Sequence, residues 1–223
     1  MIITIDGPVA SGKSTTGRAL AKKLGFYYVY SGAFYRALAY LLINTKGYTQ
    51  DQLAHPRIED VVECLDPKRF RYAYDSDLQE QLYYDDTNIT QFLKTNQIDQ
   101  GASIVSTDPK VRDEINNMGR SLAHTHDLMV DGRDAGTVIF PDADVKFFLT
   151  ASLDVRARRW AAAQEKLGNR YTHEQALVMI GERDTRDRER AIAPLRVPDD
   201  AIVVDNSDMD TTQTLAQMIE FIK

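Results

Sequence analysis

The sequence holds a single cysteine, Cys64, among 223 residues. One thiol excludes an intramolecular disulfide and suits a reducing compartment, where a lone cysteine serves as a small buried hydrophobe. Histidine is nearly as scarce, with four residues. His124 and His126 lie close together, but no cysteine pair or H-E-x-x-H pattern accompanies them, so they form no zinc motif and read as an ordinary solvated helix end. No stretch approaches the ~18 consecutive apolar residues of a membrane span. The opening MIITIDGP has neither the basic n-region nor the long apolar segment of a signal peptide. A soluble, cytoplasmic protein with no membrane partner is expected. Positive charge is short as well: 27 Lys and Arg against 33 Asp and Glu leave a formal net charge of −6, the wrong sign for a protein that coats nucleic acid.

Against these absences stands a hydrophobic content of 43%, enough in a chain of this length for one sizeable core. Short apolar runs (IITI, YYVY, LMV before Asp131, VKFFL, AIVV before Asp205) alternate with segments whose apolar residues recur at three and four. Examples are Leu20 and Leu24 early in the chain and Leu215, Met218, Ile219 and Ile222 near its end. The alternation predicts an α/β fold, a five-stranded parallel sheet with helices on both faces. One region departs from it. From Lys68 to about Asp86, two aromatic-rich runs flank Asp75-Ser76-Asp77 and read as an antiparallel hairpin. Tyrosine is a good strand former and acidic residues flank the turn, so the hairpin is a small structural subdomain rather than a stacking platform for bases.

Directly after the first apolar run comes Gly7-Pro8-Val9-Ala10-Ser11-Gly12-Lys13-Ser14-Thr15, which fits G-x-x-x-x-G-K-S between a strand and a helix. The glycines let the backbone curl so that N–H groups face a phosphate, and the helix N-terminus adds its dipole. Lys13 supplies a point charge for the β and γ phosphates, and Ser14 offers a hydroxyl to Mg²⁺. The loop therefore binds a nucleoside triphosphate. A guanine-reading N-K-x-D does not occur, which disfavours a GTP switch.

Arginines gather in three further motifs: Ser31-Gly32-Ala33-Phe34-Tyr35-Arg36, Asp131-Gly132-Arg133-Asp134, and Glu182 to Arg190, read ERDTRDRER. The first two follow carboxyl ends of strands, where an open α/β sheet places its ligands. The third lies late in a helix expected to begin at Thr172 with the cap Thr-His-Glu-Gln. Arg183, Asp187 and Arg190 are spaced to share one helical face, with Arg186 at its edge. A solvated, ion-paired helix is the bland reading of ERDTRDRER. Beside a phosphate loop, planar arginines suit phosphoryl transfer to an acceptor that is itself a phosphate. Such an acceptor is anionic and needs no general base, in keeping with the lack of an evident catalytic histidine or dyad.

SGAFYR, DGRDAGTVIFPDADVKFFL, the pair Arg158-Arg159 and ERDTRDRERAIAPL, in this order and nearly end to end, resemble the bacterial cytidylate kinases of the P-loop nucleoside monophosphate kinase group. The resemblance implies a three-layer fold of one kinase domain over residues 1–223. Its parts are a core (1–35, 105–155, 172–223), a monophosphate-binding region with the β-hairpin insert (36–104) and a helical lid (156–171). It implies the reaction of ATP with CMP or dCMP to ADP and CDP or dCDP, with Mg²⁺, by a monomer that takes small-molecule substrates and no nucleic acid.

Roles implied by the resemblance fall on matching positions. The donor is held by Gly7 through Thr15 with Arg158 and Arg159 of the lid, whose mobile segment also includes Arg156. Arg36, Arg133 and Arg190 grip the acceptor phosphate. Ser31, Arg183 and Asp187 lie around the ribose, and Ser103, Arg112 and Asp134 read the base. Lys13, Asp131, Arg133, Arg159 and Arg190 form the catalytic set. Ser14 and, through water, Asp131 hold the metal, although Asp205 ends its strand in the same local pattern. Two positions depart from the family. Trp160 stands where an arginine is common, and Val9-Ala10-Ser11 replaces a glycine-richer filling. The rival readings are a P-loop kinase for UMP as well as CMP or for another small molecule, and a non-catalytic nucleotide-binding module. An alcohol acceptor would call for a base and fewer arginines, and a pure binder has no use for a second anion cradle.

Overall fold

The computed structural model describes residues 1–75 and 80–222. The chain divides into two compact units, one of residues 1–26 and 127–223 and the other of residues 27–126.

The first unit begins with β1 (Ile2–Asp6), whose residues are buried on both faces beyond Ile2. This is the mark of a central parallel strand, in which near-continuous apolar and β-branched side chains replace alternation. β6 (Leu128–Asp131) and β7 (Val145–Thr150) pair with it on either side, and β8 (Ile202–Asp205) pairs with β7, all in parallel. With β2 (Tyr27–Tyr30) the parallel sheet has five strands in the order β2-β6-β1-β7-β8. The five apolar runs thus become the five strands. Register aligns Ile5 with Asp131 and with Phe147, and Thr150 with Asp205, so Asp6, Asp131 and Asp205 finish along one sheet edge.

Helices α1 (Lys13–Leu24), α6 (Leu153–Glu165), α7 (His173–Glu189) and α8 (Thr211–Ile219) complete this unit. The expected cap at Thr172 is present as a reciprocal box with Gln175, and Asp210 with Gln213 starts α8 the same way. Ile222 falls beyond α8, because a capped helix of 9 residues ends at Ile219. The core gathers Ile3, Ile5, Leu20, Leu128, Met129, Phe147 and Leu149.

In the second unit, α2 (Ser31–Lys46) buries Phe34, Leu38, Leu41 and Leu42. Helices α3 (Ile58–Cys64), α4 (Asn96–Val105) and α5 (Pro109–Leu122) accompany it. The aromatic region is an antiparallel sheet of β3 (Phe70–Tyr74), β4 (Glu80–Tyr84) and a third strand that the sequence pattern did not reveal, β5 (Thr87–Asn88). The turn residues Ser76 and Asp77 lie outside the described residues. Phe70, Tyr72 and Tyr74 share a face by the two-residue period of a strand. The Tyr72 ring lies 4.9 Å from that of Phe34, the Tyr74 ring 4.5 Å from that of Tyr27, and the Tyr74 hydroxyl donates to the Tyr28 carbonyl. These rings are packing groups, as the structural reading of the hairpin requires. Cys64 is fully buried, and burial pushes its thiol up to about 11, so it is inert. The His126 ring lies 4.1 Å from that of Tyr27, tilted by 49°. Among the described residues no helix is long and apolar enough to cross a membrane.

Candidate active site

The loop between β1 and α1 is shaped by close backbone approach. Gly7 has φ +150°, and a Cβ there would sit 2.0 Å from the Leu149 carbonyl oxygen of β7, so only glycine lets the chain leave β1 this way. Ala10 has φ 57°, a left-handed conformation that costs an alanine about 1–2 kcal/mol. Gly12, also left-handed, precedes the first turn of α1. Lys13 opens that helix fully packed: its Nζ donates to the Pro8 carbonyl at 2.7 Å and to Ser11 Oγ at 3.4 Å. Burial pushes its amine down to about 7 and Arg133 adds to the fall, while Asp131, Asp6 and Asp187 oppose it. A buried amine with this pKa is poised to recover its charge from an incoming anion.

Ser14 Oγ donates to Asp131 Oδ2 at 2.6 Å. Asp205 instead accepts from the backbone N–H and hydroxyl of Ser207, so it is Asp131 that meets the loop's serine. Neighbouring hydroxyl and carboxylate oxygens at a helix N-terminus are hard donors that suit Mg²⁺, a cation that keeps several waters and takes further oxygens from a phosphate chain. Among the described residues no group of three or more acidic, histidine or cysteine side chains could hold a metal by itself.

The loop's carbonyls have their own arginines. Arg156, buried, donates to the Val9 and Ala151 carbonyls and forms a 2.6 Å ion pair with buried Asp184 of α7. Arg159 donates to the Ser11 carbonyl at 3.4 Å and to Asn206 Oδ1 and the Asn206 carbonyl at 2.9 Å, while Asn206 Nδ2 donates to Ser11 at 3.0 Å. Arg158 is exposed and pairs with Asp154 on its own helix. Trp160 packs with Ala10 against the cluster of Val9, Ala157, Ala176 and Ile180, and its ring lies 4.7 Å from Tyr171. The tryptophan thus fills space between α6, α7 and the loop.

After Asp131 the chain turns through Gly132, Arg133 and Asp134 into a π-helical turn, Ala135–Ile139. Arg133 Nε donates to Asp187 Oδ2 at 2.8 Å, and Arg190 Nη2 donates to Asp134 Oδ1 at 3.1 Å. Arg190 is not on the helical face that its spacing suggested. α7 ends at Glu189, and Arg190 has extended backbone with its Nε on the Ala193 carbonyl, so the end of the helix, not its period, aims this side chain. Arg183 is exposed on α7. In the second unit, Ser31 opens α2, and Arg36 one turn on pairs with Asp99 at 2.6 Å and lies over the Tyr30 ring. Arg112 of α5 is buried, bonds the Ser106 carbonyl and lies over Tyr35, whereas Ser103 of α4 is exposed.

Three residues here were given no role from the sequence. Asp184 lies inside ERDTRDRER but its partner is remote, and Asn206 carried no local signal. Asp6 did carry one: it ends an apolar strand just as Asp131 and Asp205 do. It is fully buried and accepts from the N–H groups of Ala135 and Gly136.

The chain matches the profile of the family described as cytidylate kinase over residues 3–223. The chain belongs to the cytidylate kinase family. It is 37% identical to the cytidylate kinase of Aeromonas salmonicida strain A449, with 99% of this chain and 93% of that protein covered. It is 35% identical to the cytidylate kinase of Caldanaerobacter subterraneus subsp. tengcongensis, with 99% and 94% covered. Among solved structures, an uncharacterized protein from Eubacterium ventriosum superposes with a TM-score of 0.55, covering all of this chain and 98% of the other at 13% identity. That likeness speaks for the fold alone. Membership of the family makes the protein a kinase that uses ATP and takes nucleotide substrates.

Proposed function

We propose that the protein transfers the γ-phosphoryl group of ATP to CMP and dCMP, with Mg²⁺, as a cytoplasmic monomer without a nucleic-acid partner. One observation carries the mechanism: the run Asp131-Gly132-Arg133-Asp134 gives its first side chain to Ser14 of the phosphate loop and its third and fourth to Asp187 and Arg190. Donor and acceptor contacts are therefore built from one four-residue segment.

Lys13 binds the β and γ phosphates as they restore its charge. Arg133 and Arg190, now paired with carboxylates, exchange those partners for the acceptor phosphate and the charge that develops on the transferring group. Asp187 then accepts from ribose hydroxyls, and Ser31 and Arg183 take the other ribose roles. Ser14 and, through water, Asp131 would hold Mg²⁺, which would supply charge neutralisation for the transferring phosphate. Arg36 acts on the acceptor phosphate. For Arg158 and Arg159 to reach the donor, they must leave Asp154 and the Ser11 and Asn206 carbonyls respectively.

Base choice follows hydrogen-bond direction. Cytosine offers an N4 donor beside the N3 acceptor, and uracil reverses both. Asp134 accepting from N4 and Arg112 donating to N3 or O2, with Ser103, favour cytosine, and each mismatch with uracil costs about 1–3 kcal/mol. A coupled ADP-release assay over a panel of nucleoside monophosphates tests the reading. CMP and dCMP should exceed UMP in kcat/KM by at least about tenfold. Equal use of CMP and UMP would reduce the protein to a general pyrimidine kinase, and tight ATP binding without transfer to any of them would make it a binding module.

A further inference from the structure

We infer that Asp6 is a positioning residue that sets the acceptor-binding turn: its carboxylate holds the peptide groups directly after Arg133 and Asp134 and refers them to the start of the phosphate loop. The inference rests on the reading of Arg133 and Asp134 as acceptor contacts. Asp6 is fully buried, the last residue of β1 and the immediate neighbour of Gly7. Its two oxygens take one bond each from successive residues, Oδ1 from the Ala135 N–H at 2.9 Å and Oδ2 from the Gly136 N–H at 2.7 Å. Two parallel bonds fix an orientation as well as a distance, which a single bond cannot do.

The other side of the turn is held by the turn itself, since the Asp134 carbonyl accepts from Val138 and Ile139. Asp134 thus lies between a carboxylate that grips the peptides ahead of it and a π-helical turn that grips its own. The contact is tight. A Cβ at Gly136 would lie 2.8 Å from Thr4 Oγ1, 3.3 Å from Asp6 Oδ2 and 3.3 Å from Lys146 Cδ, so any side chain there would lift the turn from β1. The fold tolerates an unfavourable charge for this contact: burial pushes the Asp6 carboxyl up to about 6, opposed by the two N–H bonds and by Lys13, with Asp134 adding to the rise. As the acceptor of two backbone N–H bonds it acts on the turn rather than on the reacting atoms. Its product is the placement of the two side chains that follow Gly132.

The test uses the whole protein and two substitutions that approach the contact from opposite sides. Asp6→Asn turns one acceptor oxygen into a donor against a backbone N–H and releases one bond. Gly136→Ala pushes the turn off the carboxylate while leaving Asp6 intact. Each should raise KM for CMP about tenfold or more and narrow the CMP-to-UMP ratio, with the dissociation constant for ATP changed less than about threefold and a cooperative thermal transition retained. Because both break one contact, the double variant should be no worse than the more severe single one. A role confined to the scaffold would lower the melting temperature and harm ATP and CMP alike. Equal losses for the two substrates, CMP parameters within twofold of the parent, or additive losses in the double variant overturn the proposal. A parent protein that phosphorylates no nucleoside monophosphate overturns the underlying reading and the proposal together, whereas active parent protein with equal losses overturns the positioning role alone.

Discussion

Two sets of arginines surround the phosphate loop's neighbourhood, and their partners differ in kind. Arg156 and Arg159 spend their donors on backbone carbonyls, those of Val9, Ala151, Ser11 and Asn206, and Arg156 adds the buried carboxylate of Asp184. Arg133 and Arg190 pair with the partly exposed carboxylate of Asp187 and the buried one of Asp134 at the turn after β6. Arg156, buried against the loop and paired with a buried carboxylate, is part of the scaffold, whereas Arg159 holds carbonyls that it can release. A carboxylate pair near a phosphate site can be exchanged for a more highly charged oxyanion at similar geometry, because guanidinium binds both by the same fork. Residue type alone does not tell these two sets of arginines apart; the chemistry of their partners does.

The largest effect should come from breaking the scaffold set. Arg156→Ala leaves Asp184 buried and unpaired, which costs about 3–5 kcal/mol of stability, seen as a fall in melting temperature of about ten degrees for a domain of this size. Replacing both partners together, Arg156→Met with Asp184→Leu, should recover most of that loss. If the single substitution melts within two degrees of the parent, Arg156 is not a scaffold residue.

Next in size is the loop's own charge. Lys13→Ala should reduce turnover at saturating ATP at least about a hundredfold while the protein remains folded by circular dichroism. Near-normal turnover would remove Lys13 from the transfer step. For the exchangeable set, Arg133→Ala and Arg190→Ala should weaken CMP about ten- to a hundredfold and ATP much less. An equal fall for ATP would erase the distinction between the two sets of arginines.

The smallest effect is a proton. Lys13 titrates at about 7 in the fold against 10.5 for an ordinary lysine. Between these values the unfolded chain binds a proton that the free fold does not, so this group makes the free protein more stable as pH rises from about 7 toward 10.5. Triphosphate binding restores the charge and acts in the opposite sense. Near pH 8.5 it should take up close to one proton, and affinity should fall by up to about tenfold per pH unit through that window. Calorimetry in buffers of different ionisation enthalpy reads the proton directly, and Lys13→Met should abolish it. Uptake that persists in Lys13→Met assigns the proton elsewhere.

What the sequence determined was local or periodic. Five apolar runs became five strands because a buried parallel strand needs little beyond a short apolar stretch, and Thr172 announced its helix through a cap that reaches only to Gln175. The phosphate loop and the DGRD and ERDTRDRER motifs were legible because their spacing is itself the chemistry. Tertiary structure decided what depends on partners far along the chain. It chose Asp131 over Asp205 for Ser14, across 117 residues, turned Arg190 off its helix toward Asp134, and gave Asp6 two N–H groups about 130 residues away. It also spent Arg156 and Arg159 on loop carbonyls. Hydrogen bonds fall off within a few tenths of an ångström, so which of several similar aspartates or arginines completes a bond is set by strand register and by where a helix stops, and neither is written in the residue itself.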